Sequence, residues 1–370
     1  MNDTNYQSAI GLALGCVLLL GLSHCNHKEG GIENDWALMP FVKMDSVNPI
    51  LNPGANEFFC PLLERIVKWD EKDVFNPASV VRDGKIYLLF RAEDTIGQYA
   101  GTSRIGLAIS EDGFHFTKMA EPILYPENDN MKIYEWEGGI EDPRIVESED
   151  GTYILTYTAY DGHLARLCLA TSKDLLHWTK QGLVLPGKYV NTWSKSGAIV
   201  VKQEGDRMVA QKINDRYWMY WGDTDLFMAT SSDLIHWEPL EENGNLKHVL
   251  KPRPGYFDSR LVESGPFAFL TDKGIVLIYN GMNLEKVGDP LIAPGAYCAG
   301  QALFDKTDPS KIIDRLEKNF LMPDKPYENT GQVNLVCFVE GMVHFKGNWW
   351  LYYGTADSRI AAAVLRPSPL

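Results

Sequence analysis

The sequence predicts an all-β fold, a five-bladed β-propeller, from a repeated strand pattern and from the scarcity of helical periodicity. Five segments each carry a short run of β-branched and aromatic residues, as strands prefer. They recur about every 60 residues, a spacing that indicates a repeat architecture. The segments are 85–94, 152–162, 216–225, 274–283 and 348–358.

A second strand-like segment, with small or polar residues, precedes each of these runs: 75–81, 140–146, 194–201, 262–270 and 338–345. Three units add a third element, an Asp-led turn followed by an aromatic residue, at 110–116, 172–178 and 231–237. Three or four strands per unit in five units are typical of a propeller. A two-sheet β-sandwich is the alternative, but it does not explain the repeat. Only residues 308–319 suggest a helical turn.

The composition excludes some classes of partner. The chain has 370 residues, of which 45% are hydrophobic, and its net charge is −14. An acidic chain without a run of Lys or Arg is not expected to bind nucleic acid or an anionic membrane through a basic patch.

The N-terminus indicates export. Residues 9–22 form an apolar run that is too short to span a bilayer and suits a signal peptide. Leu22–Cys25 resembles a bacterial lipoprotein signal, and a plain secretory signal is the alternative. We predict a lipoprotein-type signal peptide over 1–25, a flexible tether over 26–37 and a catalytic propeller over 38–370. The protein is then expected in the periplasm or anchored to the outer membrane of a bacterium, contacting the membrane only through a lipid on Cys25.

The cysteines and repeated histidines do not indicate a metal site. Cys60, Cys168, Cys298 and Cys337 lack metal-ligand spacing and are expected to be buried free thiols, with one disulfide as the alternative. One histidine occupies the same position in three units, which indicates a structural role: His115, His177 and His236.

The residues that break the repeat indicate the chemistry. If the first segment of each unit lines the propeller axis, polar side chains meet in one central pocket: Asn76, Glu141, Asp142, Arg144, Lys195, Glu263 and Glu340. Several carboxylates around one pocket suit glycoside cleavage, in which one carboxyl protonates the leaving oxygen and another activates the nucleophile. Six aromatic residues are candidates for stacking on sugar rings: Trp136, Tyr160, Trp193, Trp221, Tyr256 and Tyr297. A glycan-binding propeller without turnover is the alternative from another class.

The motifs around these residues resemble glycoside hydrolase family 130 over roughly residues 38–366, with "GGIEDPR" and "FDSRLVESGP" the most specific. The resemblance implies a five-bladed propeller acting on β-mannosides by inversion. It implies that Asp142 is the general acid, acting directly or through a sugar hydroxyl. It further implies that Asn76, Arg91 and Asp357 hold the mannosyl unit. The same subsite is expected to include Asp94, Arg144 and Asp258, and we add Lys195 and Tyr279 to the substrate-binding set.

The family contains phosphorylases, which use phosphate, and hydrolases, which use water. Phosphorylases typically show Tyr-His-Gly where this chain has Tyr279-Asn280-Gly281, so one donor to phosphate is expected to be missing. Asp223 and Glu263 match regions that supply the base in hydrolase members, although a glutamate is expected at 223 and Asp225 is an alternative. The sequence therefore predicts an exo-acting inverting hydrolase of β-1,2-linked manno-oligosaccharides without a cofactor. The alternative is a phosphorylase that releases mannose 1-phosphate, with Lys195 and Arg166 as candidate phosphate ligands.

Overall fold

A computed structural model of the protein describes residues 34–99 and 101–366. The predicted signal peptide, with Cys25, and most of the predicted tether lie outside these residues, so export and lipidation stay predictions. Within the described part of the chain, no helix is long and apolar enough to cross a membrane.

The described residues are almost entirely strands and connecting loops. In chain order the strands are β1 (Val42–Lys43), β2 (Glu57–Cys60), β3 (Arg65–Lys68), β4 (Asp73–Arg82), β5 (Lys85–Glu93), β6 (Ser103–Ser110), β7 (Thr117–Lys118), β8 (Gly139–Glu147), β9 (Tyr153–Tyr160), β10 (Ala165–Ser172), β11 (Thr179–Leu183), β12 (Ala198–Glu204), β13 (Arg207–Ala210), β14 (Tyr217–Trp221), β15 (Phe227–Ser231), β16 (Trp237–Pro239), β17 (Glu241–Glu242), β18 (Asn245–Leu246), β19 (Leu261–Leu270), β20 (Ile275–Met282), β21 (Tyr297–Phe304), β22 (Ile312–Arg315), β23 (Cys337–Phe345), β24 (Asn348–Thr355) and β25 (Arg359–Leu365). Two helices of one turn, α1 (Lys132–Glu135) and α2 (Pro326–Asn329), and a 3₁₀ turn (Gly187–Tyr189) lie in loops.

The strands form the predicted five-bladed β-propeller. Antiparallel pairing runs outward through β4–β7 in the first blade, β8–β11 in the second and β19–β22 in the fourth. The third blade contains β12 and β14–β16. The five aromatic runs of the sequence are the second strands β5, β9, β14, β20 and β24, which explains why they are almost wholly buried between their neighbours.

The N-terminal strand completes the last blade. β23, β24 and β25 pair in sequence, and β1 adds the outer strand by pairing antiparallel with β25, with Val42 opposite Val364. The beginning and end of the described chain are therefore joined in one sheet.

The predicted Asp-led turns recur with the same hydrogen bonds in three blades. In the first, one oxygen of Asp112 accepts from the backbone N–H groups of Phe114 and His115, and the other contacts the His115 ring at 2.8 Å. Asp174 with His177, and Asp233 with His236, repeat this arrangement. The repeated histidines therefore stabilise turns.

The helical turn predicted over 308–319 is wrong. Residues Ile312–Arg315 form β22, the outer strand of the fourth blade, with Asp314 opposite Leu303. Pairing with an available sheet edge overrides a weak helical pattern in so short a segment. All four described cysteines are buried and free.

Candidate active site

A β-bulge interrupts the innermost strand of four blades, and an equivalent residue precedes β12 in the third. The pairing register shifts after Phe75, Glu141, Ser264 and Val339. Bulges redirect side chains and often lie beside active sites. Asn76, Asp142 and Ser196 adopt positive φ angles of 46°, 49° and 60° at these points. The residue at the corresponding point of each innermost segment is followed by Pro or Gly: Asn76, Asp142, Ser196, Ser264 and Glu340.

The innermost strands surround a pocket of 140 Å³. Six predicted site residues line it: Asn76, Arg91, Asp142, Lys195, Glu263 and Asp357. Apolar and aromatic side chains complete the wall: Phe75, Tyr297, Val333, Val336 and Phe338. The convergence of acids from separate blades, which the sequence suggests, is thus present in the structure.

Asp142 lies at the centre of the polar network. Its Oδ1 accepts from Asn76 Nδ2 at 2.9 Å and from Arg91 Nη1 at 3.1 Å, and its Oδ2 lies 3.1 Å from Lys195 Nζ. Burial opposes ionisation of this carboxyl, but the charges of Lys195 and Arg91 outweigh burial and hold the pKa of Asp142 far below its usual range. Asp142 is therefore a carboxylate in the free site at neutral pH.

Glu263 is the second carboxyl on the same ammonium group. Its Oε1 lies 3.8 Å from Lys195 Nζ and accepts a short hydrogen bond from Ser196 Oγ. Because one ammonium contacts both acids, at 3.1 and 3.8 Å, their nearest oxygens are at most about 7 Å apart. Burial raises the pKa of Glu263 to about 7. The charge of Lys195 opposes this rise, and the charge of Asp223 adds to it.

Arg91 holds a set of carboxylates in place from β5. Its Nη2 donates to Glu93 at 2.7 Å and to Glu141 at 2.9 Å, and its guanidinium lies 4.7 Å from the centre of the Phe75 ring. Asp357 lines the pocket next to this group. Burial, only partly offset by Arg91, raises the pKa of Asp357 to about 7. The pocket thus contains one carboxyl that stays ionised and two that titrate near neutrality.

Asp223 lies at the rim and does not line the pocket. Its Oδ2 accepts from the indole Nε1 of Trp193 at 2.6 Å. Its charge still acts on the site, because it raises the pKa values of both Glu263 and Lys195.

Arg144 does not line the pocket but bonds three segments around the propeller axis. It donates to the carbonyl oxygens of Gly265 at 2.8 Å and Ser264 at 2.7 Å, and it lies 3.1 Å from Glu340 Oε1. These contacts join the second, fourth and fifth blades across the axis. Arg144 therefore connects the blades outside the pocket wall, whereas the resemblance implies that it lines the sugar subsite.

Three other predicted ligands lie in separate buried networks. Asp94 pairs with Arg104 at 2.7 Å and accepts from backbone N–H groups of its own loop. Asp258 accepts from the Tyr279 hydroxyl at 2.7 Å, and both contact a pair of arginines, Arg253 and Arg315. These contacts engage Asp94, Asp258 and Tyr279 outside the pocket wall.

Asn280 also lies outside the pocket wall. It is fully buried, and its side chain bonds both the carbonyl and the N–H of Val339 in the neighbouring blade, at 3.0 and 2.8 Å. Asn280 therefore offers no donor to the pocket, and its side chain joins the fourth and fifth blades.

Sequence reasoning missed the role of Ser196, which bonds Glu263, whereas Tyr297, one of the predicted stacking candidates, lines the pocket. A signal for Ser196 was present, because Ser196-Gly197 aligns with Asn76-Pro77 and Asp142-Pro143 in the repeat. Among the described residues, no group of three or more His, Cys, Asp or Glu side chains is arranged to hold a metal ion.

The fold and pocket define a carbohydrate-active propeller enzyme in which acidic groups from several blades face one sugar-sized site. The profile of glycoside hydrolase family 130, described as β-1,4-mannooligosaccharide phosphorylase, matches residues 61–367. The chain belongs to this family, and it is an enzyme that acts on β-mannosides.

Individual relatives cover nearly the whole described chain. A 1,2-β-oligomannan phosphorylase of Thermoanaerobacter sp. (strain X514) is 31% identical over 88% of this chain and 97% of its own. A solved structure of a putative glycosidase from Bacteroides thetaiotaomicron VPI-5482 is 46% identical, with a TM-score of 0.89 over 91% of this chain and 99% of its own. A second solved structure is 44% identical, with a TM-score of 0.89 over 91% of this chain and 97% of its own. Its description states that this family of mannoside phosphorylases contains glycoside hydrolases that target β-1,2 mannosidic linkages in Candida mannan.

The prediction of a hydrolase is contradicted by the curated relatives. All four are named as phosphorylases of β-1,2- or β-1,4-linked mannosides.

Proposed function

We propose that this protein is an exo-acting, inverting phosphorylase of β-1,2-linked manno-oligosaccharides. It transfers the terminal mannosyl unit to inorganic phosphate and releases α-mannose 1-phosphate. The observation that carries the proposal is the naming of the curated relatives as mannoside phosphorylases, two of them β-1,2-mannobiose phosphorylases. The pocket supports it with a lysine ammonium group placed between two carboxyls.

The small size of the pocket favours action on the end of an oligosaccharide chain. A volume of 140 Å³ is well below the roughly 300–1,000 Å³ typical of ligand pockets that hold larger molecules. One sugar ring can enter, and the rest of the substrate must extend outward.

The reaction exchanges one bond at the anomeric carbon for another. The bond from C1 to the glycosidic oxygen breaks, and a phosphate oxygen forms a new bond to C1 from the opposite face. The leaving oxygen takes a proton that derives from Asp142, directly or through a sugar hydroxyl. The attacking hydrogen phosphate brings one proton, which the product ester releases at neutral pH. This proton balances the one that Asp142 takes up when phosphate binds and gives to the leaving oxygen, so the free site returns to its ionised state.

Phosphate binding can prepare the acid for this step. In the free site Lys195 and Arg91 keep Asp142 ionised. A phosphate dianion that contacts Lys195 shares its positive charge, which weakens the hold on Asp142 and raises the pKa of that carboxyl. Glu263 in its protonated form adds a hydrogen-bond donor to phosphate without adding a repelling charge.

The proposal is tested by incubating the protein with β-1,2-mannobiose with and without inorganic phosphate. We expect cleavage to require phosphate and to yield mannose 1-phosphate and mannose in equal amounts. Release of two mannose molecules at the same rate without phosphate would overturn the proposal. An Asp142→Asn variant, which cannot supply the proton, is expected to lower kcat by about 10²–10⁴-fold.

A further inference from the structure

A second concave surface adjoins the pocket. It is an open groove of 530 Å³, lined by Thr192, Trp193, Gly222, Asp223, Thr224, Asp225, Phe227 and Leu246. The backbone N–H of Gly222 donates to the carbonyl of Lys195 at 2.9 Å, and the carbonyl of Thr224 accepts from Val262, the residue before Glu263, at 3.0 Å. Segments that line the groove are therefore hydrogen-bonded to the segments that carry Lys195 and Glu263 in the pocket.

Trp193 is an exposed aromatic platform in this groove. Trp193 is 46% exposed, although large aromatic residues are usually well buried. The hydrogen bond from its indole N–H to Asp223, at 2.6 Å, fixes the ring, and Tyr160 supports it edge-on with ring centres 6.4 Å apart. A rigid aromatic ring held at an open groove is suited to binding a ligand.

The groove has the chemistry of a sugar subsite. Trp193, Phe227 and Leu246 provide apolar surface, while Asp223, Thr192 and Thr224 provide oxygens for hydroxyl groups. The residues that line it include no Lys or Arg, so an anionic ligand is disfavoured. Asp225 is already paired with His248 at 2.7 Å, which leaves Asp223 as the principal acceptor.

We propose that this groove is a distal subsite that binds a further sugar unit of the oligomannoside whose terminal unit occupies the pocket. Trp193 stacks on that unit, and Asp223 accepts hydrogen bonds from its hydroxyls. This inference rests on the proposed function and deepens it. It makes the enzyme selective for chains longer than the disaccharide, because a disaccharide fills the pocket and its immediate exit but leaves Trp193 unused.

Binding measurements on an inactive background test the inference without turnover. Calorimetry is carried out on the Asp142→Asn protein with β-1,2-mannobiose and β-1,2-mannotetraose. We expect the tetrasaccharide to bind about five- to tenfold more tightly, as an aromatic contact of this kind provides. Adding Trp193→Ala is expected to abolish that preference, whereas Trp193→Phe retains part of it.

Phe59→Ala is the matched control. Phe59 is an exposed aromatic residue on β2 that lines neither the pocket nor the groove, so its removal should leave the length preference intact. Equal dissociation constants for the two substrates, or equal weakening of both by Trp193→Ala, would overturn the distal subsite. In that case phosphate-dependent cleavage of mannobiose by the native protein would leave the proposed function standing. If neither β-1,2-mannoside binds the Asp142→Asn protein, the titration is repeated on the native protein without phosphate, and absence of binding there overturns both proposals.

Discussion

At the scale of residues, the site depends on the unequal contacts that the Lys195 ammonium group makes with two carboxyls. Asp142 receives the closer contact, together with Arg91 and Asn76, and its pKa falls. Glu263 receives the longer contact, and burial raises its pKa to about 7. Two acids in one pocket thus differ in protonation because their environments differ, which is how paired carboxyls acquire different roles.

The raised pKa of Glu263 predicts a pH-dependent stability. The folded protein holds a proton on this carboxyl up to about pH 7, whereas the unfolded chain releases it near the ordinary value of 4.5. This contribution is fully present below pH 4.5 and is lost as the pH rises through 7. It amounts to about 3 kcal/mol in total.

Urea unfolding at pH 5 and pH 8 measures this contribution. Between these conditions the native protein should lose about 2–3 kcal/mol more unfolding free energy than Glu263→Gln, whose side chain does not titrate. The raised pKa of Asp357 also makes stability depend on pH, but this contribution is the same in both proteins and cancels in the comparison. Parallel pH dependence in the two proteins would show that burial does not raise the pKa of Glu263.

At the scale of elements, the bulge of each innermost strand separates core positions from site positions. In β8, Ile140 and Ile145 pack in the core while Asp142, between them, lines the pocket. A regular alternation of faces cannot place an Asp-Pro-Arg segment in this way, but an inserted residue can. The site is therefore a consequence of irregular strands within a regular repeat.

The bulge of β23 depends on a close approach that only glycine allows. A Cβ atom on Gly341 would lie 2.7 Å from the carbonyl oxygen of Pro77 and 3.0 Å from Ser79 Oγ, in the innermost strand of the first blade. Gly341→Ala is therefore expected to destabilise the protein by about 1–3 kcal/mol. The same change should lower activity, because Gly341 follows Glu340, and Glu340 pairs with Arg144 close to the site.

Gly205→Asn is the control for this variant. Gly205 has a φ of 65° with no atom within 4 Å of the added Cβ, and asparagine tolerates this conformation. Thermal unfolding should show a change of less than about 0.5 kcal/mol in the control. A Gly341→Ala protein as stable as the control would mean that the first and fifth blades can separate at this point without cost.

The sequence predicted the elements better than the contacts of individual side chains. The second strand of each blade carries a buried aromatic run that distinguishes it without further information. By contrast, Asp258 and Tyr279 belong to family motifs yet bond each other and two arginines outside the pocket wall. Residue type and motif do not determine which face of a strand a side chain occupies once bulges change the register. Arg315, 57 residues away in sequence, meets Asp258 only through the fold.

At the scale of the whole molecule, the ring of blades is closed by β1 and by one lysine. Lys43 Nζ lies 2.7 Å from Glu328 and 2.6 Å from Asp324, and it donates to the carbonyl of Met322 at 2.7 Å. Glu328 is fully buried and also accepts from Tyr353 of β24. Lys43 thus joins β1 to α2, in the loop that precedes β23, through a buried ion pair.

Lys43→Ala should weaken this closure strongly. The substitution leaves Glu328 buried without its cation, a change that costs about 3–5 kcal/mol. Lys325→Ala removes a more exposed pair, with Asp45 at 2.9 Å, and is expected to cost less than about 1 kcal/mol. Thermal unfolding of both variants tests the comparison, and similar losses in the two would contradict a special role for Lys43 in closing the ring.

The architecture alone does not choose between phosphate and water as the acceptor, because both reactions need the same sugar pocket and the same acid. The choice lies in the chemistry at Lys195 and Glu263, which the fold merely brings together. The central claim about this protein therefore concerns the source of the oxygen that attacks C1.

The most direct test is to follow the reaction of β-1,2-mannobiose in ¹⁸O-labelled water with unlabelled phosphate, and to analyse the products immediately by mass spectrometry and ³¹P NMR. Phosphorolysis predicts α-mannose 1-phosphate without ¹⁸O between C1 and phosphorus, and free mannose without label beyond its slow spontaneous exchange. Mannose released with ¹⁸O at C1 from the first turnovers, without formation of mannose 1-phosphate, would contradict the account.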